Sequence, residues 1–328
     1  MFKKHFFAFL FLLLGWLAAF GAHAEETLRL LMPEPHGTTF RALYTGVEKG
    51  WFKEEGLKIE FLPIPGGAIN LVSVLSQGGG DIAWAGGYTI IQARARGVPI
   101  VGIQSASAES LWNLISHKDA NITKPADLKG KTIGVLAFSS ATHFMVQALL
   151  RSAGLQDSDV TLRPIGISGP TLLSQRQIDA YVWFRTQGLS LQAKGVPVNL
   201  LAMDDHMPMP QDMILAPESL VKNKPEVVKA YLRVLKRADE YGRDPAHDTE
   251  IDGYQAKYGP QTVQDTQHLR VFSKETQDRA RRDAAKNYKW GSTDPKRLEA
   301  AQESLLQLKV IDRKTPVDAM FTNALLPQ

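Results

Sequence analysis

A unit of strand, polar loop, helix, Gly-Leu, strand, glycine-containing turn, helix and Asp-led strand occurs twice in this chain, the copies offset by 98 residues. The first copy runs from the strand Leu28 to Met32 through Gly56-Leu57 to Asp81-Ile82-Ala83-Trp84. The second runs from Thr132 to Leu136 through Gly154-Leu155 to Asp179-Ala180-Tyr181-Val182. Gly56 to Asp81 and Gly154 to Asp179 both span 25 residues, although the glycine turns between them fall out of step. A repeat of topology rather than of residues points to two similar lobes facing each other.

Short apolar strands alternate with amphipathic helices, so the expected class is α/β, with two mostly parallel sheets covered by helices on both faces. Phe40, Leu43, Tyr44 and Val47, and again Val228, Tyr231, Leu232 and Leu235, follow the spacing of helices with one buried face. Thr39 and Pro225 stand where helix starts want them. The boundaries expected are a first part of lobe I over 25–112, lobe II over 113–202, and a return to lobe I with C-terminal helices over 203–328. Two crossings imply a two-strand hinge, placed near 108–116 and 199–209, that lets the lobes close on a ligand.

Before the repeat, Lys3 and Lys4 precede the apolar run Phe6 to Ala19 and then Ala22-His23-Ala24. That order fits a cleavable secretory signal peptide over 1–24, since the run falls short of the roughly 20 apolar residues of a spanning helix. The chain has no cysteine, which excludes disulfides and a lipid anchor on an N-terminal cysteine. A soluble periplasmic protein starting at Glu25 is expected. Loss of Lys3 and Lys4 takes the formal charge from +4 to +2, too little to argue for nucleic acid or a membrane surface. The Arg/Lys-rich stretch from Arg279 to Lys289 reads as a solvated helix face.

An ordered set of segments is more specific than any one motif. It comprises Glu48-Lys49-Gly50-Trp51-Phe52-Lys53-Glu54-Glu55-Gly56-Leu57, Gly66-Gly67, Gly80-Asp81-Ile82-Ala83, Asp127-Leu128-Lys129-Gly130-Lys131-Thr132-Ile133-Gly134-Val135, Ile178-Asp179-Ala180 and Lys224-Pro225-Glu226-Val227-Val228. In this order the chain resembles the periplasmic solute-binding component of ABC importers of the nitrate, sulfonate, taurine and thiamine-precursor type. The resemblance implies a type II periplasmic-binding-protein fold with ligand in the interlobe cleft. It also implies a membrane permease and, through it, a cytoplasmic ATPase as partners of a monomeric binding protein.

In open parallel sheets, ligands sit beyond the carboxyl ends of the strands, where helix N-termini present free N–H groups. Four loops qualify, at 33–40, 65–68, 137–142 and 166–171. The candidates they supply are His36, Thr38, Thr39, Gly66, Gly67 and Ala68 from lobe I, and Phe138, Ser139, Ser140 and Thr142 from lobe II. The hydroxyls serve equally as helix caps. The 98-residue offset sets Gly86-Gly87 against Phe184-Arg185, a bare wall facing a bulky one, with Tyr88 and Trp183 placed to stack on a flat solute. Trp84 is assigned to core packing. Arg185 ends an apolar strand and needs an anionic partner, either the ligand or a cleft-rim carboxylate.

The sequence lacks Gly-x-x-x-x-Gly-Lys, His-Glu-x-x-His and Gly-x-Ser-x-Gly, and Gly166-Ile167-Ser168-Gly169 lacks the spacing of a nucleophile elbow. The fungal thiamine-pyrimidine synthase of similar fold carries a cysteine-rich motif, which a chain without cysteine cannot supply. The expected function is non-catalytic, with no cofactor and no metal: capture of a small organic anion, sulfonate- or carboxylate-like, for import. The alternatives are a neutral heterocycle such as a thiamine pyrimidine precursor, or a biosynthetic enzyme on the same fold.

Overall fold

The computed structural model describes residues 25–33, 40–65, 67–207, 209–210, 212–258 and 266–328. The expected signal peptide and its cleavage site, together with His36, Thr38, Thr39 and Gly66, lie outside them.

Strands β1 (Glu26–Pro33), β2 (Leu57–Ile64), β3 (Ile82–Ala85) and β4 (Ile100–Ser105) precede β5 (Trp112–His117), β6 (Thr132–Val135), β7 (Thr161–Pro164), β8 (Ala180–Phe184) and β9 (Val198–Ala202), and β10 (Met213–Pro217) follows. They assemble into two five-stranded sheets of the same topology, in the orders β2-β1-β3-β10-β4 and β7-β6-β8-β5-β9. Four strands of each sheet run in one direction. The fifth, β10 in one sheet and β5 in the other, is antiparallel to both its neighbours. This is the two-lobed α/β architecture expected from the repeat.

The physical basis of the repeat is visible at the start of each Asp-led strand. Asp81 exchanges bonds with Arg29, whose backbone N–H donates to the carboxylate at 2.9 Å while the Asp81 N–H donates to the Arg29 carbonyl at 2.8 Å. Asp179 does the same with Thr132, at 2.7 and 2.8 Å. Each aspartate thus ties the entry of one central strand to the next, satisfying a donor beyond the ladder. Burial opposes the charge on Asp81, but hydrogen bonds from the Arg29 side chain and backbone outweigh it and hold its carboxyl below the usual carboxylate range. Gly56 and Gly154 both adopt φ of 71°, the left-handed step that ends a helix and turns the chain into the next segment.

Leu30, Leu31 and Met32 are buried in succession, so both faces of β1 are covered, as a parallel sheet requires. One face carries the helix Arg41–Glu48 and the long helix Pro225–Tyr241, which begins on the expected proline and buries Val228, Tyr231, Leu232 and Leu235. The other face continues through Met203, Met207, Met209 and Met213 into lobe II as one apolar core.

The crossings are shorter than expected. Residues 112–116 and 199–202 are paired strands of the second sheet, leaving 106–111 and 203–212 to connect the lobes. Arg297 braces the second crossing, donating to Asp204 at 2.9 Å and to the Met209 carbonyl at 2.6 Å. The C-terminal block is also not confined to lobe I. The helix Thr266–Ala285 lies against the lobe II helix Arg185–Ala193, with Ser190 Oγ 3.0 Å from His268 Nδ1.

Candidate ligand site

A cavity of about 600 Å³ opens where the two sheets face each other, walled by both lobes, both crossings and the helix Thr266–Ala285. Aromatic side chains stand on all sides of it, with Phe40, Trp84 and Tyr88 from lobe I, Trp112, Trp183 and Phe184 from lobe II, and Phe272 and Trp290 from the C-terminal block. Trp84 stands at the carboxyl end of β3. Its indole packs on Phe40 with centroids 4.9 Å apart and donates to the Tyr231 hydroxyl at 3.3 Å, which fixes the ring while leaving it in the cavity wall. Trp112 and Phe184 lie 4.1 Å apart on the opposite side. Two fixed aromatic walls can sandwich a flat solute.

Gly67, Ala68, Gly86, Tyr88 and Trp183 line this cavity, as do the described ends of the first loop, Pro33 and Phe40. Gly86 is required where it is, since a β-carbon there would come within 2.6 Å of the Tyr88 ring. Gly87 is buried outside the lining. Tyr88 also meets Phe144 of lobe II edge to face at 5.4 Å, so the lobes touch directly.

The hydroxyl loop of lobe II is placed elsewhere. Ser140 Oγ donates to the Ala137 carbonyl at 2.6 Å and sits 2.8 Å from Thr142 Oγ1, which accepts the Leu136 N–H at 2.8 Å. These hydroxyls close their own loop and do not line the cavity. Ser139 and Phe138 are exposed, Phe138 at 53 %. The 166–171 loop edges a small recess that shares Trp183 and Gln187 with the main cavity.

Arg185 takes the structural partner. Its Nε lies 3.5 Å from Glu275 Oε2 on the helix Thr266–Ala285, and Arg282 pairs with the same carboxylate and with Glu109 of the first crossing. Glu275 is buried, with 4 % of its side chain exposed, so this network spans lobe II, the crossing and the C-terminal block. The stretch from Arg279 to Lys289 is therefore solvated only in part: Arg281, Lys286 and Lys289 are exposed, but three other side chains face inward. Arg279 lines the cavity, Arg282 holds Glu275, and Asp283 accepts the Ala108 N–H at 2.9 Å.

The charges of the cavity come from residues the sequence did not single out. Arg41, 5 % exposed at the start of its helix, donates to Asp248 at 2.6 Å and to Ser273. Arg279 contacts Asp239 at 3.5 Å. Asp212, on the second crossing, is pushed up to about 6 by burial, against the opposing pull of Arg279. Gln104 and Gln187 each present to the same walls an amide whose oxygen has no partner among the described residues. A lone acidic residue following a Met-Pro run was the signal available for Asp212. Nothing local marks Arg41 or Arg279.

A family model described as NMT1/THI5 like matches residues 37–246. The chain is 22 % identical over 319 residues to the riboflavin-binding protein RibY of Chloroflexus aurantiacus, covering 94 % of this chain and 90 % of that protein. It is 25 % identical to the 4-amino-5-hydroxymethyl-2-methylpyrimidine phosphate synthase of Aspergillus parasiticus over 63 % of this chain and 64 % of the synthase. Among solved structures, the periplasmic aliphatic sulphonate binding protein SsuA of Escherichia coli superposes with a TM-score of 0.70 at 16 % identity, over 92 % of this chain and 94 % of that one. The likeness establishes the periplasmic-binding-protein fold.

Proposed function

Because the chain belongs to the NMT1/THI5-like family, we propose that it is the solute-binding component of an ABC importer. It captures a small, flat organic solute between its lobes and presents it to a membrane permease coupled to a cytoplasmic ATPase. The observation that carries this reading is the interlobe cavity of about 600 Å³, within the range of small-molecule sites, with aromatic walls supplied from both lobes. The relative matched over nearly its whole length is a riboflavin-binding protein, which agrees with an aromatic solute. Cleavage after Ala24 and residence in the periplasm as a monomer belong to the same proposal.

A second ligand class has its own support. Arg279 stands in the wall with one long contact, to Asp239, among the described residues, so a sulfonate or carboxylate on the solute has a cation to meet. The enzymatic reading rests on the synthase relatives, and the chain contributes no cysteine to their chemistry. Thermal unfolding against flavins, pyrimidines, aryl sulfonates and alkyl sulfonates tests all three readings. A native-state ligand at 100 times its Kd adds about 2.7 kcal/mol. A stabilising solute recovered unchanged supports capture, and a solute converted to product in the absence of a permease overturns it.

A further inference from the structure

Among the described residues, none donates to the side chain of Asp212. Its backbone carbonyl accepts the Ala106 N–H at 2.9 Å, which locks the residue across the two crossings and fixes its place in the cavity wall. Among the described residues, no hydrogen bond or ion pair reaches its side chain. The other carboxylates of the region are taken: Asp239 by Arg243 at 2.8 Å and Arg279 at 3.5 Å, and Asp248 by Arg41 at 2.6 Å. A half-buried carboxylate without a donor is costly unless something supplies one.

The ionisable groups of the surrounding elements do not supply it in this arrangement. Arg279 of the helix Thr266–Ala285 acts on Asp212 through charge alone, and Tyr88 of the helix Tyr88–Ala95 feels the Asp212 charge, which with burial raises its own hydroxyl. Among the described residues, Arg41, Asp239 and His268 complete the ionisable lining, and Arg41 is committed to Asp248. Gln104, 7 % exposed, adds an unpartnered amide oxygen beside the carboxylate's wall. Polar demand at this end of the cavity is thus for donors, next to surfaces suited to a ring.

We propose that Asp212 is a specificity-determining residue of the cleft, selecting flat ring systems that carry nitrogen-borne hydrogen-bond donors at one edge over equally shaped rings that lack them. The assignment rests on the cavity being the solute site. A carboxylate facing adjacent N–H groups makes two short charge-assisted bonds, and a ring without donors leaves the carboxylate buried and unpaired. Capture of such a ligand is linked to protons, since protonation of Asp212 removes the acceptor charge.

Calorimetric titration of the full chain with 2,4-diaminoquinazoline, 2,4-dimethylquinazoline and naphthalene-2-sulfonate separates the possibilities, because the three share a bicyclic frame and differ in edge chemistry. Wild type is expected to prefer the diamino ring over the dimethyl ring by about tenfold or more. Asp212→Asn should erase that preference, weakening the diamino ring and relieving the dimethyl ring of the unpaired-carboxylate cost, and should tighten the sulfonate. Asp212→Glu should keep the order of preference. In wild type, affinity for the diamino ring should fall as the pH drops through the Asp212 titration. Equal binding of the two quinazolines by wild type, or a preference that survives in Asp212→Asn, overturns the assignment while leaving the cavity as a ring site. Binding of none of the three overturns the aromatic-solute reading as well.

Discussion

Replacing Asp212 by asparagine should stabilise the unliganded protein at neutral pH and leave it nearly unchanged near pH 4. Burial carries this carboxyl from its ordinary 3.8 up to about 6, so the native state holds the proton more tightly than the unfolded chain does. Between those two values the folded protein carries more protons than the unfolded one, and stability therefore falls as pH rises through the window. At ~1.4 kcal/mol for each tenfold in proton affinity, the full penalty above pH 6 is about 3 kcal/mol. The side chain is partly exposed to the cavity and asparagine bears a desolvation cost of its own, which leaves about 1–3 kcal/mol for the substitution. Urea unfolding of both proteins at pH 4.5 and 7.5 measures it. The difference of differences isolates the one group, because other buried acids such as Asp283, also raised by burial, titrate alike in both proteins. Parallel pH profiles would mean that burial does not raise the Asp212 carboxyl, and so would a variant less stable than wild type at pH 7.5.

Arg185→Ala should lower the stability of the unliganded protein by about 1 kcal/mol while leaving solute affinity within about twofold, since Glu275 keeps Arg282 and the arginine is itself substantially exposed. Calorimetry combined with denaturation decides it, and a tenfold loss of affinity at unchanged stability would return Arg185 to the ligand. Asp179→Ala strands the Thr132 N–H and should cost about 1–3 kcal/mol in urea unfolding, with Asp81→Ala giving a loss of the same order at the equivalent place in lobe I. Solution scattering should give the unliganded protein a larger radius of gyration than the closed arrangement in which Tyr88 meets Phe144, and a saturating solute should bring it down to that of the closed form. A profile indifferent to ligand would argue for a permanently closed cleft.

The lobes, their strands and most of their helices were legible because they rest on local chemistry: apolar runs of strand length, helical spacing, glycines with a left-handed step, and aspartates that tie strand entries together. The site was legible only in part. Tyr88, Gly86 and Trp183 were reachable from the rule that ligands sit at carboxyl ends of strands. Ser139, Ser140 and Thr142 obey the same rule, yet Ser139 is exposed and the hydroxyls of Ser140 and Thr142 serve the loop itself, which sequence cannot tell from a site. Arg279 was hidden because the spacing of a helix does not reveal whether its polar face meets solvent or a cavity. Arg41 was hidden because its partner Asp248 lies 207 residues away and is brought near only by the fold.

The placement of β10 makes the sheet of lobe I depend on a late segment of the chain. Lobe II is a contiguous insertion, its five strands lying between residues 112 and 202, whereas the sheet of lobe I has a gap between β3 and β4 that only Met213–Pro217 fills. A chain emerging from its N-terminus can complete the inserted half first, while the earlier half waits with two unsatisfied strand edges. The long-range closure of that gap, rather than any local element, should set the pace of folding. A delayed sheet of this kind keeps the first half of the chain unfinished until residue 217 is available, which suits any route that must handle the polypeptide before it is compact.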